Sequence, residues 1–202
     1  TGKVLWERRD LPCNHWRGPG SSPILHGDLL IVHFDGFDVQ YAVALDKRTG
    51  RTVWRSDRTH DFGTDDGDQK KGYATPAVIE ASGRAQLISP AAKAVLSLDP
   101  RTGRELWRVR YPQHSAAARP LFAHGLVYVA SGRGKAELLA IRPDGQGDVT
   151  ETHVAWKAFR GVGASPSPVL VNGYVYSVTD KAGVVTCLDA KTGTVVWGPE
   201  DL

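Results

Sequence analysis

The chain has 202 residues, 41% of them hydrophobic, with 22 Gly and 12 Pro, enough for a substantial core and unlike a disordered segment. Net charge is only +3, and basic residues such as Arg51, Arg55, Arg104 and Arg108 are interleaved with Asp and Glu, so no nucleic-acid stripe emerges. No apolar run is long enough to span a membrane, and Cys13 and Cys187 match no metal spacing, leaving a bridge or two free thiols open.

In chain order, one pattern recurs. A clipped copy, Thr1-Gly2-Lys3-Val4-Leu5-Trp6, opens the chain, and full copies run Leu45 to Trp54, Leu98 to Trp107 and Leu188 to Trp197. Each full copy reads Leu-Asp-x-x-Thr-Gly-x-x-x-Trp. The apolar residues before the Asp suit a strand buried on both faces. Asp46, Asp99 and Asp189 can accept hydrogen bonds from the N–H groups of the turns they start. Gly50, Gly103 and Gly193 supply the positive φ of a type I turn with a G1 bulge. The Trp then sits in a returning strand. This is a β-hairpin written several times.

Around the hairpin the rest of the unit repeats too. Trp6, Trp54, Trp107, Trp156 and Trp197 are separated by 48, 53, 49 and 41 residues. Each interval opens with a Pro-led strand (Ser22-Pro23, Thr75-Pro76, Arg119-Pro120, Ser167-Pro168), then a tight turn and a second apolar strand. The unit is therefore four antiparallel strands in about 40–50 residues, the size of a β-propeller blade. The fold class is all-β, with blades expected at about 21–57, 74–111, 118–159 and 166–200. The third unit departs from the pattern: its hairpin, Ile141 to Trp156, is six residues longer, has Arg142 in place of Asp, and lacks Thr-Gly. It reads as a blade with an extended tip.

Four blades leave the Trp6 strand over. Residues 1–9 read as the outer strand of a preceding blade, which makes 1–202 an arc of a larger seven- or eight-bladed ring, with further blades outside this segment. The sequence has no methionine even at its start, so the chain is expected to begin inside a longer reading frame. Trp54, Trp107 and Trp197 are expected to be largely buried between adjacent sheets.

Antiparallel connectivity sorts the loops. The Thr-Gly turns share one face with the first-to-second strand turns, while the longer, more varied interblade and second-to-third strand loops share the other. Binding sites gather where loops vary, so the second face is the candidate. Its residues include His15, Trp16, Arg17, Asp61, Asp65, Asp66, Asp68, His114 and Arg119 on the interblade loops, and Asp35, Asp38, Lys93, Arg133, Lys135, Asp180 and Lys181 on the second-to-third strand loops. Trp16 stands outside the repeat register and suits either stacking on a ligand or plugging a blade edge, the second being commoner. The four Asp residues lack calcium-loop spacing and read as a solvated acidic loop. His15, His60 and His114 show no metal-ligand spacing, and no carboxylate pair has the spacing of a glycosidase. No catalytic or metal-binding set is assigned.

The repeated hairpin resembles the tryptophan-docking motif of the pyrroloquinoline-quinone-type (PQQ-like) β-propellers, blade by blade over essentially the whole chain. The resemblance implies that Trp6, Trp54, Trp107, Trp156 and Trp197 cement neighbouring blades, with Trp156 the doubtful member because its own hairpin is altered. It also implies a periplasmic or secreted protein. Two branches share the repeat. In quinoprotein dehydrogenases PQQ lies over a calcium ion beneath adjacent cysteines. This chain has no adjacent cysteine pair, and no Glu, Asn and Asp set matches the calcium ligands. The other branch includes non-enzymatic propellers such as the scaffold lipoprotein of the barrel-assembly machinery. The expectation is a non-catalytic scaffold without cofactor, binding a protein or saccharide on the interblade-loop face. The alternative is part of a PQQ- and calcium-dependent alcohol or sugar dehydrogenase.

Overall fold

The computed structural model describes residues 2–181 and 183–201. Four separate antiparallel sheets follow one another along the chain. The first is β1 (Ile24–His26), β2 (Leu29–Asp35), β3 (Gln40–Asp46) and β4 (Thr52–Asp57), in that spatial order. The second is β5 (Ala77–Ala81), β6 (Arg84–Pro90), β7 (Ala94–Leu98) and β8 (Glu105–Arg110). The third is β9 (Leu121–Ala123), β10 (Leu126–Ala130), β11 (Leu138–Ile141) and β13 (Val154–Ala158), with β12 (Gly147–Asp148) lying between β11 and β13 in sequence. The fourth is β14 (Val169–Val171), β15 (Tyr174–Val178), β16 (Val185–Asp189) and β17 (Val195–Glu200). One 3-10 turn, Gly67–Lys70, is the only helix among the described residues. The first and fourth sheets share no strand, and the four sheets do not close into a ring, consistent with an arc of a propeller.

The hairpin chemistry is visible atom by atom. Asp46 Oδ1 accepts from the N–H of Arg48 at 3.0 Å and of Thr49 at 2.9 Å, and Asp99 and Asp189 do the same in their turns. Gly50, Gly103 and Gly193 stand at φ 73°, 72° and 72°, conformations that side chains resist. The extra residue shifts the β3–β4, β7–β8 and β16–β17 ladders by one, so each Trp returns in the same register.

Those turns receive the Trp of the unit before. Trp6 Nε1 donates to the Lys47 carbonyl at 3.0 Å, Trp54 Nε1 to Pro100 at 3.0 Å, and Trp156 Nε1 to Ala190 at 3.1 Å. Each ring lies flat on the turn glycine: a Cβ on Gly50, Gly103 or Gly193 would come within 2.5–2.6 Å of Trp6, Trp54 or Trp156. Glycine is therefore required twice, for its backbone conformation and for the indole above it.

Trp107 faces the altered hairpin, and there the contact is rebuilt. The carbonyl equivalent to Lys47, Pro100 and Ala190 belongs to Pro143, and Trp107 does not reach it directly. Gln86 bridges the gap: its Oε1 accepts from Trp107 Nε1 at 2.8 Å, and its Nε2 donates to the Pro143 carbonyl at 2.8 Å. The same oxygen accepts from Ser97 Oγ at 2.8 Å, and Nε2 also donates to the Ala81 carbonyl at 3.4 Å, so the amide of the fully buried Gln86 has partners on both its oxygen and its nitrogen. The doubtful docking thus sits one blade earlier than expected. Trp156 docks in the ordinary way, because what matters is the turn it meets and not the hairpin it comes from.

Two further expectations, on the third tip and on Trp197, are corrected. The extended third tip does not stay in its own blade: β12 pairs in parallel with β8, Arg110 reaches Asp148 at 2.7 Å, and buried Val149 joins the core of the second blade. Residues 2–9, expected as the outer strand of a preceding blade, enter no ladder with the four sheets, as that reading requires; Thr1 lies outside the described residues. Trp6 nonetheless packs on Tyr41, Val43 and Leu45. Trp197 is 40% exposed where Trp54 is 7% and Trp107 0%, because among the described residues no turn covers it.

Trp107→Ala is expected to cost about 3–5 kcal/mol in a urea melt, and a loss under about 1 kcal/mol would refute blade-to-blade cementing by this ring. Gln86→Leu, which orphans Trp107 Nε1 and the Pro143 carbonyl, should cost about 1–3 kcal/mol with little change in volume. Gly103→Ala should exceed the ~1–2 kcal/mol of left-handed backbone alone, because its methyl displaces Trp54.

Candidate functional site

The interblade-loop face is held in shape by a buried polar cluster and by backbone-to-backbone contacts. At the end of β2, Asp35 meets Arg58 in a two-pronged pair at 2.9 and 3.0 Å, with both side chains almost wholly buried. The Asp35 carbonyl accepts from Gly72 N–H at 3.2 Å, which ties the loop after β4 to this pair. His33 lies alongside. Its Nδ1 is 3.2 Å from the Ala74 carbonyl, which can only accept, so that nitrogen carries the proton. Its Nε2 then accepts from Ser89 Oγ on the next blade at 2.9 Å. Burial first, and then the Arg58 guanidinium, push the His33 imidazole down to about 4, against the opposing pull of Asp35.

Farther along the face, loops from successive blades touch. Tyr73 N–H donates to the Ala116 carbonyl at 2.7 Å, and Ser115 N–H to Lys71 at 2.9 Å. Arg133 N–H donates to His114 at 2.6 Å, where Gly132 leaves no room for a Cβ against the His114 carbonyl and the Ala116 backbone. Asp180 pins the loop after β13 by accepting from Ala164 N–H at 2.6 Å and Ser165 N–H at 2.9 Å. Burial works to raise the Asp180 carboxyl, but these two donors prevail and hold it below its ordinary value.

Between these loops opens a cleft of about 1090 Å³. Its walls are largely apolar, with Ala117, Ala164, Val184 and Pro199 among them. Arg17, Lys71, Arg133, Arg160 and Lys181 line it, against the acids Asp68 and Asp180. Lys71 Nζ lies 2.5 Å from Asp68, and this ammonium holds the Asp68 carboxyl below the usual range. Arg17 is 3.9 Å from the same carboxylate. Both acids are thus engaged, while Arg133, Arg160 and Lys181 enter no ion pair among the described residues.

Of the residues singled out in the sequence, the structure brings Arg17, Asp68, Arg133, Asp180 and Lys181 into the cleft. Trp16, which precedes the cleft-lining Arg17 in sequence, is 66% exposed at φ 57° and stacked on Phe37 at 5.4 Å and 19°. His15 tilts against Phe34 at 6.2 Å, and Asn14 N–H donates to Asp38. His114 sits behind the wall with its Nδ1 3.0 Å from Ser115 Oγ. Arg119 is exposed and only its N–H is used, donating to Ser167 Oγ.

The other acids go separate ways. Asp61 accepts from Gly63 N–H, Asp65 approaches Lys70 at 3.9 Å, and Asp66 caps the 3-10 turn through Asp68 N–H. His60 donates through Nε2 to the Ala92 carbonyl. Among the described residues no three acid, His or Cys side chains converge on one point. The sequence reading missed Tyr73, Arg160 and the Ala164–Ser165 wall. For Arg160, Ala164 and Ser165 the signal was topological: the connection from β13 to β14 occupies the same place in its unit as the three interblade loops that were singled out, the second of which also carries Tyr73.

Residues 1–144 match the family described as outer membrane protein assembly factor BamB. The chain belongs to this family of PQQ-like propellers. The crystal structure of BamB from Moraxella catarrhalis is similar at 19% identity and a TM-score of 0.64, over 89% of this chain and 51% of that one. Quinohemoprotein alcohol dehydrogenases are also similar in fold. The one from Comamonas testosteroni is 15% identical with a TM-score of 0.61, over 89% of this chain and 34% of that one. ADHIIG from Pseudomonas putida HK5 is 14% identical with a TM-score of 0.60, over 93% and 34%. The chain therefore spans about half the length of the BamB structure and about a third of each dehydrogenase. No curated protein matches it.

The His33 cluster sets a pH dependence. Between about 6.5 and about 4 the unfolded chain takes up a proton that the folded imidazole refuses, so stability is full above the window and falls as the pH drops through it. The slope from this group should approach ~1.4 kcal/mol per pH unit. Urea midpoints measured from pH 7 to 4 should flatten in His33→Gln, and an unchanged slope would remove His33 as the cause.

Proposed function

We propose that this chain is part of an extracytoplasmic, non-catalytic propeller scaffold that holds a protein partner on its interblade-loop face. The observation that carries this reading is the cleft: apolar walls studded with unpaired cations, on rigid loops from all four blades, suit holding a ligand. Membership in a family described as an outer membrane assembly factor supports a protein as that ligand and the cell envelope as its setting. The described residues contain no helix long and apolar enough to cross a membrane.

A quinoprotein dehydrogenase would need oxygen ligands for calcium beneath the quinone. The cleft's carboxylates do not fit that demand, because Asp68 is held by Lys71 and Asp180 by two backbone N–H groups.

A photoreactive amino acid at exposed Ser165, incorporated into the full-length protein in its own cells, is expected to give one discrete protein adduct. The same group at Arg84, on the Thr-Gly-turn face, should give none. Adducts from Arg84 alone, or dye-linked alcohol oxidation on adding PQQ and calcium, would overturn the reading.

A further inference from the structure

We propose that the loop-face cleft receives an extended segment of the partner protein in which acidic side chains alternate with apolar ones. The inference rests on the protein-binding reading above and specifies the chemistry of what is bound.

Charge complementarity is the first argument. Of the five cations lining the cleft, Lys71 is neutralised by Asp68, and Arg17 stands only at the margin of that pair. Arg133, Arg160 and Lys181 are exposed and enter no ion pair among the described residues. Three uncompensated cations on low-dielectric walls give a positive potential that favours a carboxylate ligand. Two are guanidinium groups, whose planar donor forks match carboxylates. The acids cannot supply the compensation themselves: Asp180 is committed to Ala164 and Ser165 N–H, and Asp68 to Lys71.

The walls choose the kind of anion. Ala117, Ala164, Val184 and Pro199 present apolar surface between the charges. A hydrated phosphate or a glycan would leave that surface uncovered, whereas alternate side chains of an extended peptide meet charge and apolar wall in turn. Trp16, adjacent in sequence to the cleft-lining Arg17 and stacked on Phe37, offers an exposed aromatic surface, the residue type on which interfaces concentrate their binding energy. The loops are braced before any ligand arrives, through Arg133 to His114 and Ser115 to Lys71. Little ordering entropy then opposes binding.

The experiment uses the full-length protein and a fluorescein-labelled octapeptide alternating glutamate with leucine, read by anisotropy. The glutamate peptide should bind, and raising salt from about 20 to about 300 mM should weaken it several-fold. An octapeptide alternating lysine with leucine should not bind. The double variant R133E/R160E should weaken the glutamate peptide by at least about tenfold. R133Q/R160Q, whose neutral side chains test the charge with less risk to the fold, should lie between, and Arg84→Glu on the opposite face should be silent. Trp16→Ala should weaken binding without changing its salt slope.

Equal binding of both peptides, or binding that R133E/R160E leaves intact in a protein with an unaltered melt, would overturn the proposal. So would binding of a hexagalacturonate in place of the peptide. Ser165 adducts in cells without peptide binding would leave the scaffold reading standing and remove only the acidic segment.

Discussion

Everything in this arc depends on one contact: a tryptophan from one unit laid on the backbone turn of the next. The indole supplies flat apolar area against the turn glycine and a single donor for a turn carbonyl. Trp6, Trp54 and Trp156 each make this contact with nearly equal geometry. A sheet on its own buries one face at best, and a blade acquires a core only when its neighbour arrives. The core clusters accordingly run between sheets, with Leu87, Leu96 and Leu98 of the second blade packed with Ile31, Ala44 and Trp54 of the first.

The third blade shows how much tolerance this contact has. An inserted tip removes the Asp and Gly of the standard turn, and Trp107 loses direct reach to its carbonyl. The fold answers with a buried glutamine that extends the donor by one side chain, and with β12, which crosses to the second blade as an extra strand. A buried amide is costly when half satisfied, so Gln86 works only because Trp107, Ser97 and Pro143 all face it. The insertion therefore becomes a second latch across the same junction.

The opposite face is built for a different purpose. There a neutral histidine and close backbone approaches join the blades beside an ion pair buried within the first, and these fix the loops and leave their side chains free. Glycines stand where loop meets loop, as at Gly132, while the cations are left exposed around an apolar cleft. Rigid support beneath and unspent charge above is the arrangement that recognition requires.

The repeat by itself determined the all-β blade, the places of the sheets and the role of the Asp-Gly turn, because those rest on local chemistry: period-two strands, an Asx turn and a positive φ. It also showed which loops share a face, since antiparallel strands leave no choice. It placed Arg17 and Asp68 among the candidates. What it did not determine was anything that joins residues distant in sequence. That Gln86 would relay Trp107 to Pro143, that the long tip would leave its blade, and that Arg160 and Asp180 would share a cleft with Arg17 were decided only in three dimensions. The physical reason is that these contacts depend on the distance between blades, and a hydrogen bond or an ion pair a few ångströms too long leaves no trace in the pattern of one strand.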